Sequence, residues 1–457
     1  MKNKYTVYSL LFSGAIALVP SLANASGFAI VEQSVSGLGN AYAGAASSAT
    51  DATTVYFNPA GMMLLEGRRN FSAGIHAIKP SAKFSNINST VTTGGNGGDA
   101  GGTEIAPNLY YVAPIDDRTK FGIGINAPFG LSTEYDSNWV GRYQAVKSTV
   151  STININPSIA FSTNSPFSVG LGMNIQYMKA ELTNALDFGA ICYGAAQQSS
   201  LVTVGQCNGA GLIPQYALAP SMQSTTNDGF AKIDGDSWGI GYNLGILFAP
   251  TEEAHVGFAY RSKVKHKLGG SADFTMPSSA SSITLLNYVF ADTNATANVT
   301  LPESWTLSSY RQFTKQWELL GEISFTKWSQ LQELNIQFDN PNKSSSSETL
   351  KFRNTYRYSL GVNFKPNNHF TYRAGFAYDE GATQNATYRT PRIPDQNRTW
   401  LALGFGYKQN KTSFDVGYAH LFIDDAYINR TGATGDTLNG KYQLSVDILS
   451  AQFNYDF

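Results

Sequence analysis

Few groups of residues in this sequence have the types and spacing that catalysis or metal binding would need. The segment from Gly235 to Gly239 matches the G-x-S-x-G pattern of a nucleophilic serine, with Ser237 at its centre. That pattern requires a helix directly after the serine, whereas the residues after Ser237 alternate as in a strand. The five histidines are scattered and show no metal-ligand spacing. We therefore expect neither a bound metal nor a cofactor, and no enzymatic activity.

The two cysteines, Cys192 and Cys207, lie in one Gly-, Gln- and Ser-rich stretch. In an oxidising compartment they would form a disulfide that stiffens a long loop by about 3 kcal/mol in the chain-entropy model. The alternative is two free thiols. A zinc site is not indicated, because no Cys-x-x-Cys or His pair lies beside them.

Composition indicates the elements that must position any functional residues. The chain has 457 residues, of which 14% are charged and 13% aromatic, with 43 glycines and a net charge of −1. An average soluble protein has roughly 25% charged residues. The near-neutral charge leaves no basic footprint for nucleic acid, and an apolar content of 42% is too high for a disordered chain. Because the mean hydropathy is only −0.19, a bundle of transmembrane helices is also excluded.

Short segments repeatedly alternate between apolar and small or polar residues. From Trp238 to Phe248, and again from Phe370 to Tyr378, one face is largely apolar and the other carries mostly Gly, Asn, Arg or Thr. Successive side chains on a strand point to opposite faces. Apolar faces that end in aromatic residues are typical of the girdles of an outer-membrane barrel, and the other face suits its lumen. Since backbone polar groups in hydrocarbon need internal partners, such strands must close into a barrel.

Fourteen strand candidates predict an all-β fold, namely a 14-stranded antiparallel transmembrane β-barrel. The largest irregular stretches, Ala185 to Lys232 and Ser271 to Ala297, are predicted outer loops. The candidate strands start near Asn70, Glu104, Lys120, Ser148, Phe167, Ser237, Ala254, Asn298, Gln316, Thr355, Phe370, Thr399, Thr412 and Gln443.

The last strand has two features of its own. Leu444, Val446 and Ile448 are one step out of phase with Leu449 and the apolar residues after it, which predicts a β-bulge. The chain ends on an aromatic residue, Phe457, as is typical of outer-membrane barrels. We expect this end to be the signal for the barrel assembly machinery.

The N-terminal region is predicted to be an export signal followed by a plug. Two lysines precede an apolar stretch too short to span a bilayer, and Ala23 to Ala25 supplies a small-x-small cleavage site. We predict a signal peptide over residues 1–25, the alternative being an amphipathic anchor. Residues 26–67 lack alternation and are rich in Gly, Ala and Ser, which suits compact backbone buried in a lumen; a periplasmic linker is the alternative. The barrel is predicted to occupy residues 68–457.

Several motifs, taken in order, resemble those of one known family, the FadL-type outer-membrane transporters of long-chain fatty acids and other hydrophobic compounds. The resemblance covers nearly the whole mature chain. The motifs are Ser36-Gly37-Leu38-Gly39, Ala41-Tyr42, Asn58-Pro59-Ala60, Phe129-Gly130-Leu131, Trp238-Gly239, Leu301-Pro302-Glu303, Trp328-Ser329-Gln330, Ile393-Pro394-Asp395-Gln396 and Phe453-Asn454-Tyr455.

The resemblance implies a hatch inside the barrel, an external apolar groove between long loops, and a deeper pocket in which Phe28 contacts the ligand. It also implies a kink in the third strand that opens a lateral gap toward the bilayer. The kink maps to Asn126 to Gly130 and includes Pro128 and Phe129; proline suits it because it cannot donate to the ladder. Asn58-Pro59-Ala60 would lie beside this kink.

One departure from the family concerns the headgroup of the ligand. Fatty-acid members place an Arg beyond the end of the fifth strand, where this chain has Asn184. A family Lys near the tenth strand has Lys351 or Arg353 as candidates, and Asp379 corresponds to a family acidic residue near the hatch. Burying a carboxylate without a cation is costly. Neutral aromatic hydrocarbons are therefore the alternative to long-chain fatty acids as substrate.

Candidates for the external groove are Trp139, Tyr143, Leu186 and Phe188, which lie in apolar or aromatic stretches between strands; membrane-interface aromatics are the alternative. The expected function is an uptake channel for hydrophobic substrates in the outer membrane of a Gram-negative bacterium. The other two classes are an outer-membrane lipid hydrolase acting through Ser237 and a structural or adhesive porin-like barrel. The expected partners are hydrophobic small molecules, outer-membrane lipid including lipopolysaccharide, and the assembly machinery, with no nucleic acid and a monomeric barrel.

Overall fold

The computed structural model describes residues 27–66, 69–163, 166–198, 201–212 and 227–457. The predicted signal peptide lies outside the described residues. The predicted boundaries of the hatch, at 25/26 and 67/68, also fall outside them. These assignments therefore stay predictions.

One antiparallel sheet of twenty strand segments forms the wall in the described part of the chain. The segments whose alternation predicts strands do form this sheet. The segments are β1 (Asn70–Asn86), β2 (Glu104–Asp116), β3 (Thr119–Asn126), β4 (Gly130–Glu134), β5 (Lys147–Ser162), β6 (Phe167–Asp187), β7 (Asp228–Thr251), β8 (Ala254–Arg261), β9 (Val264–Thr275), β10 (Thr293–Leu301), β11 (Ser304–Gln312), β12 (Trp317–Thr326), β13 (Glu333–Phe338), β14 (Ser346–Thr349), β15 (Thr355–Phe364), β16 (Phe370–Asp379), β17 (Arg398–Gln409), β18 (Thr412–Ile423), β19 (Ala426–Thr431) and β20 (Thr437–Asp456).

Six strands are each interrupted once, so the twenty described segments make fourteen strands. The interrupted strands are β3/β4, β8/β9, β10/β11, β12/β13, β14/β15 and β18/β19. β20 pairs with the whole of β1 and closes the cylinder. The predicted 14-stranded antiparallel barrel is thus confirmed. One strand is longer than expected, because β7 begins at Asp228 and not near Ser237.

Residues 27–66 lie inside this barrel, as expected of a hatch. They contain α1 (Val35–Leu38), α2 (Thr54–Phe57) and a 3-10 helix (Pro59–Leu64). Small wall residues let the hatch backbone approach closely. A Cβ on Gly375 would lie 2.1 Å from the carbonyl carbon of Asn40, and one on Gly245 would lie 1.9 Å from Oδ1 of Asn58. The glycine-rich faces of the strands therefore receive the hatch.

The strands are joined by short turns at one end of the barrel and by long segments at the other. Bacterial barrels place short turns in the periplasm and long loops outside, so we call these the inner and outer ends. The long segment after β6 contains α3 (Phe188–Gln198) and α4 (Val204–Gly209), and the one after β9 contains α5 (Ser278–Ser281) and α6 (Thr284–Val289). The predicted disulfide is present, since Cys192 and Cys207 are bonded between α3 and α4. No helix in the described ranges is long and apolar enough to cross a membrane.

The wall reverses its polarity partway along β20. Nearer the inner end Leu449 faces outward and is 59% exposed, whereas nearer the outer end Val446 and Ile448 are buried in the interior and Asp447 faces outward. Pairing with β1 is continuous through this region, so the bulge predicted at Leu444 to Ile448 is wrong. The apolar residues change phase because the barrel interior becomes apolar toward its outer end.

Candidate functional site

The third strand is interrupted between β3 and β4, as predicted for the kink. Asn126 pairs with Asn154 and Gly130 pairs with Ser151, so three residues of this strand oppose two of β5. Among the described strands, β4 pairs only with β5, and the outer part of β2, residues 104–108, pairs only with β1. The wall therefore has an opening between the second and third strands.

The start of the hatch is bound to the edge of this opening by backbone hydrogen bonds. The amide of Ile30 donates to the carbonyl oxygen of Pro128 at 2.9 Å, and the amide of Gly130 donates to that of Phe28 at 3.1 Å. The first hatch residues thus act as a short strand beside the kink. Any displacement of this segment would break both bonds.

A cavity of about 520 Å³, which we call the wall cavity, extends from Phe28 to the opening. On the inside it is lined by apolar residues of the outer half of the wall, including Leu421 and Val446. It also reaches Ile105 and Ile153, whose side chains are 56% and 52% exposed on the outer surface. The wall cavity thus links the barrel interior to the membrane side of the wall.

A second, smaller cavity of about 100 Å³, which we call the inner pocket, lies against the other side of Phe28. The Phe28 ring is buried and packs on Trp328 and Phe129, with centroid distances of 5.0 and 6.0 Å. Phe28 borders both cavities, and so do Leu131, Val150 and Ile393, so these four side chains form the partition between them. The other apolar residues around the inner pocket are Leu131, Val150, Met178, Ala180, Leu182, Ile233, Leu268, Ala295, Ala297, Val299, Leu331, Leu334, Ile336, Leu350 and Ile393.

A charged group lies at one end of the inner pocket. The buried guanidinium of Arg392 donates from Nη1 to Ser148 Oγ at 2.9 Å, and its Nε lies 3.2 Å from Glu348 Oε2. Arg430 Nη2 lies 3.6 Å from the other oxygen of Glu348. One carboxylate is thus shared by two guanidinium groups, so these three side chains carry one excess positive charge. The carboxylate of Asp234 also borders the pocket, whereas Arg430 does not.

The N-terminal end of the described hatch is fixed by an outer segment. Arg398 Nη2 donates to the carbonyl oxygen of Gly27 at 3.1 Å and lies 3.2 Å from Asp395 Oδ1. Asp395 also accepts a hydrogen bond from the amide of Ala382 at 2.9 Å. Burial raises the pKa of Asp395 to about 6, although Arg398 and the backbone donors oppose that shift.

A polar cavity of about 150 Å³ lies inside the barrel and is bordered by Glu32, Asp379, Arg357 and Arg398, as well as by Phe129. Burial raises the pKa of Glu32 to about 7, and the neighbouring Arg398 and Arg357 partly offset this. Asp379 is buried there, close to the hatch as the resemblance implied. Glu32 and Arg398 also border the wall cavity, so these charges adjoin the apolar path on its hatch side.

Asn58-Pro59-Ala60 is bound to the hatch and to β6 and β7. Asn58 Nδ2 donates to the carbonyl oxygens of Ala46 at 2.7 Å and Ile246 at 3.1 Å, and Ser168 Oγ donates to that of Ala60. None of these bonds reaches the kink, but Pro59 borders the same polar cavity as Pro128 and Phe129, so a role of the motif at the kink stays a prediction. The motif packs on β6 and β7, because glycines there leave room for it, and Phe28 to Ile30 occupy the kink.

The pocket cation is a residue that sequence reasoning missed. Asn184 Oδ1 lies 3.4 Å from Arg392 Nη2, so the position expected to hold an arginine contacts one from another segment. Lys351 Nζ lies 3.0 Å from the hydroxyl of Tyr388, and Arg353 Nε donates to a backbone carbonyl. Neither Lys351 nor Arg353 borders the inner pocket. The available signal was the position of Arg392 directly before the Ile393-Pro394-Asp395-Gln396 motif.

The four candidates for an external groove are packed inside the outer segments. Trp139 is fully buried and stacks on Tyr135 at 4.0 Å. Tyr143 donates from its hydroxyl to Asp228 Oδ1 at 2.7 Å. Leu186 and Phe188 belong to the apolar cluster between the α3–α4 and α5–α6 segments. None of the four borders the inner pocket or the wall cavity, so substrate contact by them stays a prediction.

Ser237 lies within β7 and is not at a turn into a helix. Its Oγ lies 3.0 Å from His266 Nδ1, and His266 Nε2 lies 3.1 Å from Gln176 Oε1. The third group is a neutral amide, which cannot stabilise an imidazolium as a carboxylate does. These contacts therefore link β6, β7 and β9.

A closed barrel with an internal hatch, an apolar pocket and an opening in its wall defines a transport channel of the outer membrane. The model of the family described as "Outer membrane protein transport protein (OMPP1/FadL/TodX)" matches residues 16–457, and the chain belongs to this family. The chain is 32% identical over 469 residues to "Outer membrane protein P1" of Haemophilus influenzae, covering 98% of each. It is 32% identical over 466 residues to the "Long-chain fatty acid transport protein" of Escherichia coli O157:H7, covering 97% of each. The crystal structure of a Pseudomonas aeruginosa FadL homologue superposes with a TM-score of 0.83 at 25% identity, covering 94% of this chain and 100% of that one.

Family membership establishes the general role of the protein. It is an outer-membrane transporter of hydrophobic compounds. The family consists of transport channels and not of enzymes.

Proposed function

We propose that this protein takes up long-chain fatty acids by binding them in the inner pocket and releasing them sideways through the wall cavity. The observation that carries the proposal is the position of Phe28, which borders both cavities. The Escherichia coli relative is named a long-chain fatty acid transport protein, which supports the same substrate class.

The size of the inner pocket supports a role for movement of Phe28. A water-sized group needs roughly 10–15 Å³ of cavity, so about 100 Å³ holds the head and the first part of an acyl chain. Each further methylene that leaves water contributes about 0.8 kcal/mol. A long acyl chain therefore gains most by displacing Phe28 and entering the wall cavity.

The charge at the end of the pocket suits a carboxylate headgroup. Arg392 and Arg430 share Glu348 and keep one excess positive charge. A fatty-acid carboxylate would cancel that charge, while its chain lies along the apolar wall. Charge-assisted hydrogen bonds of this kind are stronger than neutral ones.

Release would begin at the hatch. Hydrogen bonds from the backbone amides of Ile30 and Gly130 hold the hatch start to the kink. Displacing Phe28 therefore loosens the segment beside the opening. The ligand would then pass between the second and third strands into the bilayer. Pro128 keeps this edge irregular, so Pro128→Ala is expected to slow uptake.

A disulfide lock tests the route. Ala29 and Phe129 face each other in a single β-bridge, so the variant Ala29→Cys with Phe129→Cys would fasten the hatch to the kink. Cells with the oxidised variant should lose uptake of labelled oleate, and reduction should restore it. The reduced variant controls for the lost ring, and wild type with and without reductant controls for the Cys192–Cys207 bond. Equal uptake by the oxidised and reduced variant would exclude lateral release past the hatch.

The second candidate substrate is a neutral aromatic hydrocarbon. The observation that favours it is that Glu348 already pairs with Arg392, so a neutral ligand fills the pocket without rearranging the charges. Competition between toluene and labelled oleate on the purified protein distinguishes the two. Tight oleate binding that toluene displaces only weakly supports the fatty acid, and the reverse order supports the hydrocarbon.

A further inference from the structure

The outer surface of the seventh strand changes sharply from apolar to basic. In β8 the outward residues are Val256, Phe258 and the partly buried Tyr260, whereas beyond the interruption Lys263, Lys265 and Lys267 are the exposed positions. At about 3.3 Å per residue, these lysines form a row about 13 Å long on one face. We call this row the lysine strip.

The lysine strip begins at the outer edge of an aromatic girdle. Tyr260 lies 5.4 Å from Trp305 and 5.8 Å from Tyr242, measured between ring centroids. Rings of this type sit at the membrane–water interface. Lys263 to Lys267 therefore lie at the height of the headgroups of the outer leaflet.

The lysines of the strip are largely without protein partners for their charge. In the described part of the chain, no ion pair joins Lys263, Lys265 or Lys267 to a carboxylate. On the strand to one side, Lys265 and Lys267 face the neutral residues Thr300 and Asn298. Among the described neighbours, carboxylates lie only near the two ends of the strip: Glu303 interacts electrostatically with Lys263, and Asp236 on the other neighbouring strand is opposite Gly269. By contrast, Lys232 on the neighbouring strand lies 3.7 Å from Glu181.

We propose that the lysine strip binds the phosphate groups of an outer-leaflet glycolipid. The three ammonium groups supply the charge that complements a headgroup with more than one phosphate, and the apolar band below them receives its acyl chains. The site lies on the outside of the wall and does not depend on the substrate proposed for the interior. It would anchor the barrel in the outer leaflet.

The test is a native mass spectrometry titration of the purified full-length mature barrel with bisphosphorylated lipid A and with dephosphorylated lipid A. The variant is K263Q/K265Q/K267Q. The matched control, K315Q/K408Q/K411Q, removes three lysines at the inner end, two in turns and Lys408 in the last residues of β17. Near an anionic surface each lysine contributes a factor of about five in affinity. The strip variant should therefore bind bisphosphorylated lipid A on the order of a hundredfold more weakly, with the control unchanged.

Two comparisons keep the proposal falsifiable. Wild type should bind the phosphorylated lipid more tightly than the dephosphorylated one, and this comparison does not depend on the folding of any variant. Both variants should keep the thermal midpoint of wild type. Equal binding of the two lipids by wild type would overturn the proposal. So would a folded strip variant with wild-type affinity, or an equal loss in the inner-end control.

Discussion

Replacing Arg392 with glutamine tests whether the inner pocket recognises a carboxylate. The variant removes the charge that lies 3.2 Å from Glu348 but keeps an amide that can donate a hydrogen bond. Hydrogen bonds to charged groups contribute about 1.5–3 kcal/mol, and neutral ones about 0.5–1.5 kcal/mol. Because the glutamine amide still donates, the loss for the acid is the difference, about 1–1.5 kcal/mol. The Kd for oleate should therefore rise roughly 5- to 13-fold, whereas the Kd for the corresponding alcohol should change little.

The assay is competition binding on purified protein in detergent, with the thermal midpoint measured in parallel. Arg430→Gln is the matched control, because Arg430 also pairs with Glu348 but does not border the inner pocket. Its effect on oleate affinity should be smaller. If Arg392→Gln lowers the affinity for the acid and for the alcohol equally, Arg392 only supports the pocket wall and does not recognise the carboxylate headgroup.

Three further perturbations follow from the geometry. In Gly27→Ala, the new Cβ would lie 2.7 Å from the Trp328 ring at a φ of +58°, so the hatch start should shift, at a cost of about 1–3 kcal/mol; unchanged protease resistance of the hatch would contradict this. Arg142→Ala breaks a 2.7 Å ion pair with Asp228 and should destabilise the outer segments by about 3–5 kcal/mol, seen as a lower thermal midpoint. The pKa of Glu32 is near 7 when folded, against 4.5 ordinarily, so the folded protein holds this proton more tightly. Stability should therefore rise as pH falls from about 7 toward 4.5, and Glu32→Gln should flatten that dependence.

The barrel could be predicted because its signal is local. Each strand carries its own alternation, so the strands can be counted in the sequence, and closure follows from backbone hydrogen bonding in hydrocarbon. The helices of the outer segments carried no comparable signal. They are short and depend on contacts between segments, such as Phe188 on Phe290 at 4.9 Å. Helices of this length are not stable alone, so their residues appeared irregular in the sequence.

The charged end of the pocket could not be predicted for a different reason. Arg392, Asn184 and Glu348 come from three separate segments and meet only after the barrel closes. The sequence directed the search for a cation to position 184 and to Lys351 or Arg353, whereas the fold supplies Arg392, 208 residues from Asn184. Chemistry alone indicates that a buried carboxylate needs a cation, but only the tertiary structure shows which residue supplies it.

The reversal of polarity along the strands relates the two halves of the barrel to their surroundings. Toward the inner end, lipid lies outside and the hatch lies inside, so apolar residues such as Leu171 face out and Asn174 faces in. Toward the outer end of the same strand, Met178 is buried against the inner pocket and Lys179 is exposed. A single strand thus marks both the edge of the hydrocarbon and the start of the apolar path. Where the apolar residues of a strand move to the other face without a break in pairing, the barrel interior has become apolar and holds a pocket. This change of face is already visible in the sequence at Leu444 to Ile448.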